Sequence, residues 1–402
     1  MVSIASVLAL SLTAAAPLLE GELIFPPTPK HDHGSSLVQL ADESLLAVWF
    51  HGSGERTADD VLLQGARKAP GADVWTEPFA MADTPALPDC NPVLFVDPRG
   101  VLWLFWITVQ DNHWGGSLLK YRIAEDPMGE GPPKWAWQGV IHARPKNLEE
   151  QFLKVLERGE VELAPLIALR PELTELIAEG RAAARSKLRR RLGWMTRIHP
   201  IMVSPNRMVL GLYSDVFNCG LAAITEDWGE TWAFSEPILD SDPKLLGNIQ
   251  PSLVQRQNGD IVAYMRDNGM PKCVRTSVST DGGMTWSDLD KLPVRNPGSS
   301  VECIALESGA WVLVSNDTVQ GRHRLAAYLS EDEGETWRIL RLIEEAERDT
   351  GSFSYPSVLQ AKDGTIHCTY SHRRDGGPGS CIKHVRFNEA WVREGTRLEN
   401  AK

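Results

Sequence analysis

One pattern recurs six times along this chain: a short apolar strand, a polar turn, and a second strand rich in aliphatic and aromatic residues. The copies are SSLVQLADESLLAVWF from Ser35, PVLFVDPRGVLWLFWI from Pro92, PIMVSPNRMVLGLY from Pro200, PSLVQRQNGDIVAYMR from Pro251, CIALESGAWVLVSN from Cys303 and PSVLQAKDGTIHCTY from Pro356. Each reads as a β-hairpin, with Asp, Asn or Gly turning the chain between two strands of Val, Leu, Ile and aromatic residues. Units of this kind bury their apolar faces only against their neighbours. Six of them therefore predict one all-β array of blades, rather than the two or three domains that 402 residues would otherwise suggest.

The copies start 57, 108, 51, 52 and 53 residues apart, and the one long interval has a local cause. Between Asn147 and Leu192 the periodicity becomes helical, as in NLEEQFLKVLERG and PELTELIAEGRAAARSKLRRRLG. Asn147 followed by Glu150 has the form of a capping box, and Pro171 suits the first turn of a later helix. Subtracting an insertion at about residues 147–192 restores the period. Its basic run, Lys187-Leu188-Arg189-Arg190-Arg191, reads as a solvated helix end favoured by the macrodipole in preference to a binding patch. The array is expected over residues 23–402, behind a leader-like segment at residues 1–22. There, Val2 to Pro17 is apolar and Ala14-Ala15-Ala16 resembles a cleavage region, although no basic n-region precedes it. A secreted or periplasmic location is one expectation and a cytoplasmic one the other. The apolar run falls short of the ~20 residues a membrane-spanning helix needs, and no later stretch approaches that length.

A formal net charge of −12 argues against general affinity for nucleic acid or anionic membranes, both of which need a positive field. A small anionic ligand remains compatible, since a few inward arginines set the local potential. Cys90, Cys219, Cys273, Cys303, Cys368 and Cys381 show no CxxC pair and no zinc-ligand spacing, so they read as buried free thiols. No phosphate-cradling glycine loop, dinucleotide fingerprint or metal cluster stands out, and no cofactor is expected. A G-x-S-x-G nucleophile elbow is also missing.

The second half of three repeats carries another signature: TEDWGETW from Thr225, STDGGMTW from Ser279 and SEDEGETW from Ser330. These fit S/T-x-D-x-G-x-T-W, the Asp-box form. Asp227, Asp281 and Asp332 can accept backbone N–H bonds inside a tight turn, Gly229, Gly283 and Gly334 supply positive φ, and Trp232, Trp286 and Trp337 can pack between blades. Structure rather than chemistry is the expected role of these aspartates. Trp75 and Trp135 are read as relics of the same motif. With these boxes, and with GWMTRIHP from Gly193, NIQPSLVQRQNGDIVAYMRDNG from Asn248 and FSYPSVLQAKDGTIHCTYSHRR from Phe353, the chain resembles the sialidase (neuraminidase) superfamily, in its branch with BNR repeats. The resemblance runs from about His31 to Val392. It implies a six-bladed β-propeller with the Asp boxes on the rim and the active site at the opposite, axial end.

Equivalent positions of six hairpins converge on the axis, because the start of each first strand and the end of each second strand share one end of the sheet. The residues before the first strands are His33 with Gly34, Asn91, His199, Gln250, Glu302 and Tyr355; the second strands end at His51, Trp106, Tyr213 to Asp215, Arg266, Asn316 with Asp317, and His372 with Arg373. So many polar groups at one level predict a pocket for a polar ligand.

What the resemblance implies about roles is more specific. The family holds a sugar carboxylate with three arginines, whose planar forks match carboxylates. Arg266 and Arg322 match two of them. At the first position, where the family has Arg-Ile-Pro, this chain reads His33-Gly34-Ser35, and Arg197 is the expected substitute. Tyr355, in SYPSV, matches the family's nucleophile, a tyrosine in place of the usual carboxylate. The family's glutamate base falls at Gln250, which cannot accept the phenolic proton, so Glu302 or Asp215 is expected to do so. The general acid is expected in HGSGERTADDV, with Glu55 favoured over Asp59 and Asp60 read as structural; a raised pKa would suit the acid. The implied activity is that of an exo-glycosidase for an anionic sugar, with a glycan or small acidic sugar as partner. A hydrolase or lyase for another acidic or deoxy sugar, using His33, His199 or Tyr213, and a non-catalytic carbohydrate-binding propeller are the alternatives.

Overall fold

The computed structural model describes residues 16–374 and 379–398; the first fifteen residues of the leader-like segment lie outside the described residues. Six antiparallel sheets of four or five strands follow one another around an axis, forming a six-bladed β-propeller. Blade 1 comprises His31–Gln39, Leu45–Gly52, Leu62–Lys68 and Phe79–Ala82, and blade 2 comprises Asp89–Val96, Leu102–Val109, Ser117–Ala124 and Trp137–Val140. In blade 3 the first strand is split into Met195–Thr196 and Ile201–Ser204, both paired with Arg207–Ser214, and Cys219–Thr225 and Ala233–Phe234 follow. Blade 4 is Asn248–Gln255, Ile261–Asp267, Cys273–Ser279 and Asp290–Arg295. Blade 5 is Glu302–Ala305, Trp311–Asn316, Arg324–Ser330 and Ile339–Glu345, with the late strand Thr396–Arg397 on its edge.

Blade 6 closes the ring. Its strands Gly351–Gln360, Ile366–Arg374 and Cys381–Phe387 are completed by Leu19–Leu23 from the start of the chain. Part of the segment expected to precede the propeller thus supplies its outermost strand, and the two ends of the array are tied by a backbone ladder.

The core lies between blades, as the repeat period requires. Trp232 meets Phe105 and Tyr121 of blade 2 edge-on at 6.3 and 6.4 Å, and Trp337, wholly buried, meets Tyr264 of blade 4 at 5.7 Å. Trp75 does the same between blades 1 and 6, its ring 5.3 Å from that of His384. The Asp boxes behave as expected: Asp281 accepts from Ser279 Oγ, Thr285 N and Thr285 Oγ1 at 2.8, 2.9 and 2.6 Å, and the boxes at Asp227 and Asp332 repeat this set. All six cysteines are free thiols, and all but Cys273 are buried.

The insertion folds as α1 (Leu148–Glu162), α2 (Ala164–Leu169) and α3 (Glu172–Arg185). Asn147 is not the start of a capping box, because its side chain makes no cap bond and donates instead to Glu236 Oε1 at 2.7 Å. Leu148, Phe152, Val155 and Leu156 dock α1 on the propeller, with Phe152 edge-on to Phe217 at 5.1 Å. The basic run lies beyond the end of α3, and Arg190 turns back to Glu149 at 2.8 Å. No helix among the described residues is long and apolar enough to cross a membrane.

Candidate active site

Four blades share one irregularity in the first strand. The ladder slips between His33 and Ser36, Cys90 and Val93, Ile249 and Ser252, and Ser354 and Ser357. Within each slip one residue has positive φ: Gly34 (65°), Asn91 (51°), Gln250 (59°) and Tyr355 (62°). Such a bulge bends the strand and re-aims one side chain. Here it turns Asn91, Gln250 and Tyr355 into a cavity of about 240 Å³ on the axis, lined also by His33, Glu55, Tyr213, Asp215, Arg266 and Arg322. Non-glycine residues rarely adopt this backbone, and its strain is held by the surrounding fold.

Tyr355 is the centre of charge organisation. Arg266 Nη1 donates to its hydroxyl at 2.8 Å, and the guanidinium carbons of Arg197 and Arg322 stand 5.0 and 5.2 Å from its ring centroid. Burial alone would push the phenol up, but Arg266 and Arg322, with a contribution from Gln250, outweigh it and hold the phenol below its ordinary value. Its neighbour Tyr213 goes the other way: burial and the charge of Asp215 push it well up, and its hydroxyl receives a bond from Asn91 Nδ2 at 3.0 Å. The His33 ring is 4.2 Å from that of Tyr355, and burial together with Arg322 keeps the imidazole neutral near pH 7.

The two carboxylates of the cavity differ. Burial raises Asp215, and Arg266 and Arg56 do not cancel that effect; its Oδ1 is buried without a hydrogen-bond partner among the described residues. Burial also works upward on Glu55, but His31, whose Nε2 lies 3.2 Å from Glu55 Oε1, outweighs it and holds the carboxyl below its usual range. The raised pKa expected of Glu55 is therefore found at Asp215.

Several expected members lie elsewhere. Arg197 does not replace the missing arginine: it is buried, and Nη1 and Nη2 donate to the carbonyls of Ser35 and Tyr355 at 3.0 and 2.8 Å, beneath the cavity. The position of that arginine is held by His33, whose ring lies 5.5 Å from that of Phe50, and the next residue is crowded too, since a Cβ on Gly34 would sit 2.9 Å from Phe50 Cε1. Glu302 is no base for Tyr355. Its Oε1 meets His199 Nδ1 at 2.5 Å, its Oε2 accepts from Val358 N at 2.8 Å, and both Glu302 and His199 face the opposite mouth of the propeller. Asp59 is exposed and bonded to Asn112 at 3.1 Å, outside the cavity, while Asp60 anchors Ser53 and Lys30 as a structural residue would. His51 and Trp106 also turn away, to Asp32 and Asp89.

Phe50, Trp114 and Asn268 line the cavity without having been singled out. Trp114 had a signal: it follows the second strand of blade 2, as Glu55 follows that of blade 1 and Asp215 that of blade 3.

Residues 43–167 and 185–368 match the family model described as BNR repeat-like domain. No curated protein sequence matches. Among solved structures, the chain is similar to a Dyadobacter fermentans protein of unknown function, at 15% identity over 92% of this chain and 98% of that one, with a TM-score of 0.67. It is similar also to the leech intramolecular trans-sialidase complexed with 2,7-anhydro-Neu5Ac, at 12% identity over 93% and 71% and a TM-score of 0.66. The intramolecular trans-sialidase of Ruminococcus gnavus is a third, at 13% identity over 90% and 95% and a TM-score of 0.63. Likeness at such identities is likeness of fold.

Proposed function

From the premise that this chain belongs to the BNR repeat-like family of the sialidase superfamily, we propose that it is an exo-acting glycosidase for an acidic sugar at a glycan terminus. The observation that carries this reading is the Tyr355 hydroxyl on the propeller axis, 2.8 Å from Arg266, inside a polar cavity that also holds Arg322 and two carboxylates. A phenol is a poor nucleophile at its ordinary pKa of about 10, and the two arginines supply part of the activation by favouring the phenolate.

The sugar carboxylate is gripped by Arg266 and Arg322. With the third arginine position filled by Phe50 and neutral His33, a sugar that needs three guanidinium contacts is held less well, which favours a uronic or other acidic sugar over sialic acid. Tyr355 attacks the anomeric carbon. Asp215 takes the phenolic proton in place of the glutamate lost at Gln250; its raised proton affinity and the lowered one of Tyr355 bring donor and acceptor toward the same pH. Glu55 protonates the leaving oxygen and then activates the water that releases the sugar. In the free protein His31 and Arg322 favour its ionised form, and an anionic sugar on Arg322 opposes that effect.

The test is turnover of 4-methylumbelliferyl glycosides of sialic, glucuronic and galacturonic acid. Release of the fluorophore from one of them, abolished in Tyr355→Phe, supports the reading. Unsaturated, ultraviolet-absorbing products would point to a lyase, and binding without turnover to a carbohydrate-binding propeller.

A further inference from the structure

A second cavity, of about 400 Å³, adjoins the first and shares His33, Glu55 and Arg322 with it. Part of its remaining wall is hydroxylic, with Ser352, Ser354 and Ser371 of blade 6 and Ser53 of blade 1 beside charged and imidazole groups. Hydroxyl groups that both donate and accept suit a sugar's own hydroxyls. Its charges are already mostly engaged. Lys30 is paired with Asp60 at 2.7 Å, and Asp32 is enclosed by Thr28, Trp49 and His51 at 2.8, 3.1 and 2.7 Å. Arg373 differs: it is exposed at this cavity, and its side chain makes no ion pair or hydrogen bond among the described residues. With no carboxylate partner among the described residues, and beside a cavity that already gathers Arg266 and Arg322, Arg373 adds to a local positive field in a chain of net charge −12.

We infer that this second cavity binds the next sugar of the substrate chain and that this sugar is itself acidic, its carboxylate meeting Arg373. The inference rests on the glycosidase reading above and extends it. Glu55 lines both cavities, which is where the bridging oxygen between two bound sugars has to lie if Glu55 is to protonate it. Serine hydroxyls hold the ring, and Arg322 at the junction screens the two carboxylates from each other. The substrate class is therefore an oligosaccharide with consecutive acidic sugars, and a lone acidic cap on a neutral glycan uses only half of the site.

Calorimetric titration of the full chain with galacturonic acid against digalacturonic acid, and with N-acetylneuraminic acid against its α2,8-linked dimer, tests this. At least one dimer should bind about 10-fold or more tightly than its own monomer, the factor that one charge-assisted contact supplies. Arg373→Ala should remove that gain and leave the monomer within about twofold, while Arg373→Lys should keep part of it. Equal affinity for monomer and dimer in both pairs, a gain that survives Arg373→Ala, or no binding of any of the four overturns the inference. The catalytic reading fails separately: an Arg373-dependent gain without turnover of any aryl glycoside keeps the second cavity and removes the glycosidase.

Discussion

Replacing Arg266 by Met should move the ionisation of Tyr355 upward, and it should push Tyr213, already raised by burial, further in the same direction. Arg266 Nη1 lies 2.8 Å from the Tyr355 hydroxyl, and a unit charge at that distance, with an effective dielectric of about 20, favours the phenolate by ~6 kcal/mol. Water entering the vacated space and the second charge on Arg322 reduce the loss to about 2–4 kcal/mol, or about 1.5–3 pH units. Near-ultraviolet titration of tyrosinate can isolate the event. The chain has six tyrosines, and burial drives Tyr213, Tyr264, Tyr328 and Tyr370 above the ordinary value, whereas Tyr355 is held below it. The wild type should therefore show an early single-tyrosine step that vanishes in Tyr355→Phe and shifts to higher pH in Arg266→Met. An unchanged midpoint in Arg266→Met, or an early step that persists in Tyr355→Phe, would refute the claim that paired guanidinium groups poise this phenol.

Three further outcomes follow from the same geometry. Asp215→Asn should lower kcat/KM by about 10²–10⁴-fold on whichever aryl glycoside is turned over while leaving monomer binding nearly intact; an unaltered rate removes Asp215 as the base. Burial works against a charged His199, but Glu302 outweighs it and raises the imidazole above its ordinary value, so the stabilisation is full below about pH 6.5 and fades as pH rises through the raised pKa. Glu302→Gln should cost about 3–5 kcal/mol at pH 6 and flatten the pH dependence of the denaturation midpoint, and a variant as stable and as pH-dependent as wild type would contradict this. Gly334→Ala should cost roughly 2–4 kcal/mol, because φ is 82° there and the new Cβ would fall 2.0 Å from Tyr264 Oη; a denaturation midpoint equal to that of wild type would show that the Asp-box turn tolerates a side chain.

The blades and their Asp boxes were legible because they depend on local patterning: hairpin alternation, turn residues and a tryptophan at a fixed offset. The axis was legible only in part. Aligning the copies by their first apolar residues placed His199 and Glu302 level with Asn91, Gln250 and Tyr355, and the proline after His199 strengthened the match, as Pro92, Pro251 and Pro356 follow the other three. The ladders show a slip. Glu302 pairs with Val314, three residues beyond Trp311, which faces the Asp-box Ser330; in blade 4 the residue so placed is Ser252, opposite Tyr264, three beyond Ile261. Glu302 therefore lies two residues deeper than Gln250, and His199, counted back from the Ile201 pair with Val209, does too. Periodicity reports spacing along the chain, and a bulge changes depth without changing composition. The charge state of Glu55 was hidden for a related reason, since it is set by His31 on a different strand.

That deeper level explains why the first strands of blades 3 and 5 contribute nothing to the cavity, although Tyr213, Asp215 and Arg322 reach it from other parts of those blades. Ser36 Oγ accepts from Leu94 N, Ser252 Oγ from Cys303 N, Glu302 Oε2 from Val358 N, and Ser357 Oγ from Leu37 N, at 2.8–3.0 Å. In each case the side chain at this level reaches the backbone of the following blade, and Ser357 to Leu37 carries the ring across the join between last and first. His199 extends the ring across the axis, bonding Glu302 on one side and the Leu37 carbonyl at 2.9 Å on the other. A left-handed residue at a bulge needs its strand ends fixed, and the bonds that fix them lie one layer beneath the strained positions. Glu302 and His199 are thus bound to the fold rather than to the chemistry. Replacing either should disturb the Tyr355 titration only through stability, with the early tyrosinate step intact wherever the variant remains folded.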